Sequence, residues 1–176
     1  MTRPLTRLIP VAAAAALFCA MPAQADAPLQ LGTFQSWTAF VNGTGDNKSC
    51  YVIARPQSSE PAKARRDPIA FLVTDWPARK AKAEPEVVPG YEYKDGSTVT
   101  AQVGADKFDF FTKNDGGLGG AWVQKTADEA RLVRALRANG QMIVTGISKR
   151  GTMTHDTYSL GGISDALDKI HAACGM

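Results

Sequence analysis

The sequence predicts a mainly β, sandwich-like domain with two short helices. Short apolar runs separated by clusters of Gly, Pro, Asn and Asp dominate the chain from Phe34 to Thr112, which is the rhythm of an all-β protein. Within them Thr98–Val103 alternates cleanly, with Val99, Ala101 and Val103 facing inward and Thr98, Thr100 and Gln102 outward, as a half-buried strand requires. Only two segments, near 126–138 and 164–174, place apolar residues at helical spacing.

Taken in order, Phe34–Val41 reads as the first strand, followed by the turn-rich Asn42–Asn47. Cys50–Arg55 returns as its hairpin partner, with Cys50, Val52 and Ala54 on one face. Gln57–Asp67 is polar and basic between Pro56 and Pro68, and reads as a loop. Ile69–Val73 is the next strand, with Ile69, Phe71 and Val73 on one side. Charges and prolines make Pro77–Pro89 a long excursion. Further strands are predicted at Phe108–Thr112, Gln141–Ser148 and Thr154–Leu160.

Thr126 is placed to cap the first helix, which carries Asp128 and Glu129 in its opening turn and stops at Asn139-Gly140. Leu132, Val133 and Leu136 form its buried face. Ser164 or Asp165 is placed to cap the second, where Ile163, Leu167, Ile170 and Cys174 stack on one side. No internal repeat or long disordered linker divides the chain, so residues 26–176 read as one domain.

Residues 1–25 have the three parts of a secretory signal. Arg3 and Arg7 form the positive region, Leu8–Met21 is apolar apart from Pro10, and Ala23-Gln24-Ala25 supplies the small residues of a cleavage site after Ala25. No later segment approaches the length of a membrane-spanning helix. The 176-residue chain has a formal charge of +3, and without Arg3 and Arg7 the remainder carries +1. That balance argues against a dedicated nucleic-acid binder, which needs a concentrated cationic face.

Cleavage removes Cys19 and leaves only Cys50 and Cys174. Two cysteines in an exported chain most often pair, and both are predicted to point toward one core. Neither belongs to a CxxC or Cys/His cluster, so no metal site is expected. No cofactor motif is evident. Asp115-Gly116-Gly117-Leu118-Gly119-Gly120 lacks the Lys-Ser/Thr of a phosphate cradle and reads as a flexible hairpin connection into Ala121-Trp122-Val123.

His155 lies outward on its strand between Thr154 and Asp156, where a Ser-His-Asp hydrolase is the catalytic reading and an ordinary surface histidine the alternative. His171 sits late on the second helix, where protonation suits the helix dipole. Trp37, Trp76 and Trp122 are expected in the core. The dense cation runs, Lys63-Ala64-Arg65-Arg66 and Arg79-Lys80-Ala81-Lys82, could attract lipid phosphates or another anionic envelope surface. Glu60, Asp67, Glu84 and Glu86 balance them, so a solvated loop is the competing reading. Arg131, Arg134 and Arg137 on the first helix are weighed the same way.

Phe34-Gln35-Ser36-Trp37-Thr38 and Cys50-Tyr51-Val52 resemble the opening of invasion-associated locus B proteins. Lys149-Arg150-Gly151-Thr152, Asp156-Thr157-Tyr158-Ser159-Leu160-Gly161-Gly162 and the stretch from Ala166-Leu167 to Ala173-Cys174 resemble that family's C-terminal signature. The resemblance implies an immunoglobulin-like β-sandwich, secreted or periplasmic in a Gram-negative bacterium, with no catalytic residues to carry over. Ala39-Phe40-Val41 lacks the additional cysteine that family members can carry.

The expected function is an exported, non-enzymatic module that binds an envelope or host component. The basic loops, with Lys63, Arg65, Arg66, Arg79, Lys80 and Lys82, are its candidate anion contacts. A periplasmic structural or stress-related factor is the alternative, and a hydrolase around His155 the third.

Overall fold

An apolar face alternating with a polar one runs along most strands, and those apolar faces together enclose the core. The computed structural model describes residues 27–176; the signal peptide expected at 1–25 lies outside them. The elements are Leu29–Phe34 (β1), Trp37–Asn42 (β2), Ser49–Ala54 (β3), Ser58–Glu60 (β4), Ala70–Trp76 (β5), Ala81–Val88 (β6), Thr98–Val103 (β7), Asp106–Asp115 (β8), Leu118–Val123 (β9), Thr126–Ala138 (α1), Gln141–Ile147 (β10), Met153–Ser159 (β11) and Ile163–Cys174 (α2). The strands form one sheet in the order β1-β2-β3-β5-β6-β9-β8-β7-β10-β11-β4. Every pair in it is antiparallel.

The sheet curls so that strands far apart in this order meet across the core. Phe71 of β5 lies edge-on to Phe110 of β8 at 6.4 Å and to Tyr158 of β11 at 6.0 Å. Trp37 of β2 lies edge-on to Phe71 at 6.3 Å, and its indole Nε1–H donates to the Ser159 carbonyl at 3.1 Å. Such aromatic pairs contribute about 0.5–1.5 kcal/mol each beyond the area they bury.

Each helix covers one flank. The α2 helix packs on β1, β2, β3 and β5, burying Ile163, Ala166, Leu167, Ile170 and Cys174. The α1 helix lies against β6–β9 and touches α2, burying Leu132, Ala135 and Leu136. A disulfide joins Cys174 to Cys50 of β3, with the two Cα atoms 5.9 Å apart. Beside it Lys48 Nζ donates to the Ala173 carbonyl at 2.7 Å, and His171 Nδ1 lies 2.7 Å from the fully buried Asp75 of β5. At the other end of α2, Gly162 has φ +88°, and a Cβ there would collide with the Phe34 carbonyl.

Several expectations are corrected. The first predicted strand is a hairpin, because the chain turns at Gln35-Ser36, with Gln35 at φ 50°, and Phe34 pairs with Trp37. Pro77–Pro89 is not an excursion. Its central part is β6, which pairs with β5 and β9 and buries Ala83, Pro85 and Val87 while Lys82, Glu84 and Glu86 face the other way. Proline is tolerated at 85 because the pairing with β9 involves only Glu86 and Val87. The predicted 57–67 loop contains the short edge strand β4, paired with β11.

Helix α1 spans 126–138, but Thr126 is its first residue rather than its cap, and Lys125 precedes it without a side-chain bond. Helix α2 likewise starts at Ile163, with Gly162 in the cap position instead of Ser164 or Asp165. Trp37 is in the core, whereas Trp76 and Trp122 are half-buried on the outer face. The glycine-rich connection is a tight hairpin: Asp115 pairs with Leu118, and Gly116 and Gly117 take φ 58° and 92°. Two successive positive φ values are the requirement of the favoured two-residue turn.

Replacing Cys50 and Cys174 together by serine is expected to lower unfolding free energy. The bridge spans a sequence separation of 124, for which the chain-entropy account gives roughly 4–5 kcal/mol. Denaturant unfolding of oxidised wild type against the double variant measures it. Equal midpoints would show that α2 holds without the bridge.

Candidate functional site

The cation runs singled out in the sequence do not share a surface. Lys63, Arg65 and Arg66 precede β5, whereas Arg79 and Lys80 follow it and Lys82 lies in β6. The two groups sit at opposite ends of β5, a strand about 23 Å long at ~3.3 Å per residue. Lys63, Arg65, Lys80 and Lys82 are exposed. Arg79 stacks over Trp76 with its guanidinium carbon 4.5 Å from the ring centroid, and reaches Glu84 at 3.3 Å.

Arg66 has a different role. Its side chain is only 5% exposed and forms a two-pronged pair with Asp156 of β11, Nη1 to Oδ1 at 2.7 Å and Nη2 to Oδ2 at 2.6 Å. Nε donates to the Pro89 carbonyl at 2.8 Å, and the guanidinium lies 4.9 Å over the Tyr91 ring. The Asp67 N–H donates to the Gly90 carbonyl at 2.9 Å, so the loop is fastened to the 89–91 segment by backbone as well. Gly90 has φ +71°, and a Cβ there would collide with the Asp67 carbonyl.

Arg66, held in place by Asp156, lines a cleft of about 710 Å³. Arg65, Arg66 and Asp67 line one wall, Tyr91 and Glu92 the base, and the β10–β11 turn from Ser148 to Arg150 with Thr152 and Thr154 the other wall. The turn is closed by the Gly151 N–H to the Ser148 carbonyl at 2.8 Å and the Thr152 N–H to Ser148 Oγ at 3.1 Å. Lys149 bridges Glu92 at 2.9 Å, and that hydrogen bond, ahead of the carboxylate's charge, raises its pKa. Among the described residues, Arg65 and Arg150 belong to no ion pair.

Within this lining, the Thr154 hydroxyl donates to the Gly146 carbonyl at 3.4 Å and so accepts from Tyr91 at 2.7 Å. Burial pushes the Tyr93 and Tyr158 phenols far up from their ordinary value, and the Tyr91 phenol up as well. All three stay neutral at physiological pH, leaving Asp156 and Arg66 as the charged pair among them.

His155 faces Thr145 across the β10–β11 ladder, with its Nδ1 3.0 Å from the threonine hydroxyl. Asp156 points to the opposite face and is held by Arg66, so it is not the partner of His155. Arg131 joins Asp106 and Asp128 and lies over Phe108, and Arg137 joins Asp168, so these cations of the α1 stripe brace the helix. A smaller depression of about 390 Å³ lies around Trp122, Phe111, Glu84 and Glu129. Among the described residues no three His, Cys, Asp or Glu side chains converge on a metal position. No helix there is long and apolar enough to cross a membrane.

Asp156→Asn is expected to destabilise the protein by about 3–5 kcal/mol, because it leaves the Arg66 charge buried without its counter-ion. Chemical denaturation reads this directly, and a loss under about 1 kcal/mol would contradict the assignment. A second expectation concerns Glu86, whose carboxyl pKa is raised first by burial and then by Glu84. The folded chain therefore retains a proton that the unfolded chain releases at about pH 4.3, and stability falls as pH rises from there through the folded value. Glu86→Gln should melt higher than wild type at pH 7 and lose that advantage at pH 3.5. An advantage independent of pH would contradict it.

The sequence pattern of the invasion associated locus B (IalB) protein family matches residues 37–171. The crystal structure of invasion associated protein B from Bartonella henselae superposes with a TM-score of 0.59 over 84% of this chain and 99% of that one, at 17% identity, and so shares its fold. No curated protein matches the chain. With ten of its eleven strands, all of α1, most of α2 and the cleft's β10–β11 turn inside the matched region, the chain belongs to the invasion associated locus B family.

Proposed function

We propose that residues 26–176 form one exported, non-enzymatic binding domain, an immunoglobulin-like sandwich released by cleavage after Ala25 into the periplasm or the medium. The curl of the sheet into two facing layers supports the sandwich reading, and the Cys50–Cys174 disulfide supports an oxidising compartment. The observation that carries a binding role is the convergence on one cleft of Arg65, from the loop before β5, with Lys149 and Arg150, from the β10–β11 turn. Loops at the end of a rigid β scaffold are the usual place for a contact surface.

The partner is an anionic component of the envelope or of a host surface. Its approach depends on exposed charge, which salt screens. Arg66 takes no part as a free cation, since Asp156 holds it.

Co-sedimentation with anionic vesicles and with an anionic polysaccharide tests this. Wild type should be retained at about 0.1 M salt and released at about 1 M, where the Debye length falls from ~10 Å to ~3 Å. Arg65→Glu with Arg150→Glu should abolish retention while the thermal midpoint stays near that of wild type, as both side chains are exposed. Retention of the reversed protein equal to wild type would remove the cleft from the account.

A further inference from the structure

We infer that the cleft is a site for a phosphorylated sugar, with Arg65 and Arg150 gripping the phosphate and Asp67 and Glu92 accepting bonds from the sugar hydroxyls. This rests on the binding-domain reading and specifies its ligand.

The lining is mixed in a way that excludes simpler ligands. Arg65, Lys149 and Arg150 surround the opening, yet Asp67 and Glu92 stand among them. A polyanion such as nucleic acid would meet both carboxylates along its backbone. An apolar ligand would have to cover the charges of Arg65, Asp67, Glu92, Lys149 and Arg150, and burying charged groups without partners is costly. At about 710 Å³ the cleft falls in the size range of small-molecule sites and is far roomier than a bare tetrahedral anion needs.

A sugar phosphate uses every part of that lining. Arginine presents paired N–H groups that match phosphate oxygens, and Arg65 and Arg150 are the two lining cations without an ion pair among the described residues. Carboxylates, being acceptors only, suit hydroxyl donors. Arg66 is built into the fold within this lining. Arg66, 5% exposed, uses three of its five N–H groups on Asp156 and Pro89 and so keeps its place without a ligand. The Tyr91 ring beneath it and the closed Ser148–Thr152 turn beside it fix the shape before any ligand arrives.

Isothermal titration of the intact protein with glucose 6-phosphate, glucose and inorganic phosphate tests the inference. Glucose 6-phosphate should bind more tightly than either fragment. Arg65→Gln and Arg150→Gln should each weaken it roughly tenfold, the factor carried by one charge-assisted hydrogen bond. Asp67→Ala separates the two halves of the claim by sign. Removing a negative charge should leave phosphate binding equal or stronger, while the advantage of the sugar phosphate over phosphate shrinks. A gain for both ligands alike, or inorganic phosphate binding as tightly as glucose 6-phosphate in wild type, overturns the sugar assignment.

Phosphomannan in solution and phosphatidylcholine vesicles carrying a phosphorylated glycolipid then distinguish a polysaccharide from a lipid headgroup as the source. Retention of wild type but not of the Arg65→Gln/Arg150→Gln protein by either one supports the proposal. Equal retention of both proteins, or of neither, overturns it. Binding to sulfated dextran without binding to any phosphorylated sugar sinks the inference alone and leaves the binding-domain reading standing.

Discussion

The pair between Arg66 and Asp156 is the interaction on which the candidate site depends. It joins a loop residue to a strand 90 positions later, almost wholly out of water. Two charges at 2.6 Å with little exposure stabilise a fold only modestly against an apolar alternative, because desolvation offsets most of their attraction. What the pair supplies is position. Arg66 also holds the Pro89 carbonyl and covers Tyr91, so one side chain fixes the 63–67 loop, the 89–92 segment and β11 relative to each other. Those three segments and the β10–β11 turn make the cleft.

The opposite flank is organised by the same kind of device. Asp75, fully buried on β5, accepts the Ala83 N–H at 2.8 Å and holds His171 at 2.7 Å, so it joins β5, β6 and α2. The disulfide and Lys48 hold the last turn of α2 nearby. Between these two polar clamps lies the aromatic core of Trp37, Phe71, Phe110 and Tyr158. The apolar core gives most of the stability and little choice of loop position. The clamps supply the choice.

Much of this was legible in the sequence. Strict alternation located β7, and spacing located both helices and the buried face of α2. The cysteines pointed to one core because each lay on an apolar face. β6 was hidden because prolines and charges outweighed its alternation of Ala83, Pro85 and Val87 with Lys82, Glu84 and Glu86. The β1–β2 turn was hidden because its positive-φ position is taken by Gln35, where Gly or Asn is the usual signal. The two buried carboxylates did leave a signal. The alternation that sends Tyr158 and Leu160 inward also sends Asp156 inward, and the one that buries Phe71 and Val73 buries Asp75. A carboxylate at an inward position requires a cationic or hydrogen-bonding partner. Which partner it finds is set by tertiary contacts that no local pattern encodes.

The most direct measurement is amide hydrogen exchange over residues 61–68 in an Arg66→Met/Asp156→Leu double variant, set beside its global unfolding free energy. If the pair serves position more than stability, the double variant regains most of what Asp156→Asn loses, yet its 61–68 amides, with Asp67 foremost, exchange much faster than in wild type. Unchanged protection of that loop in a fully stable double variant would contradict the account, since the cleft would then hold its shape without the ion pair.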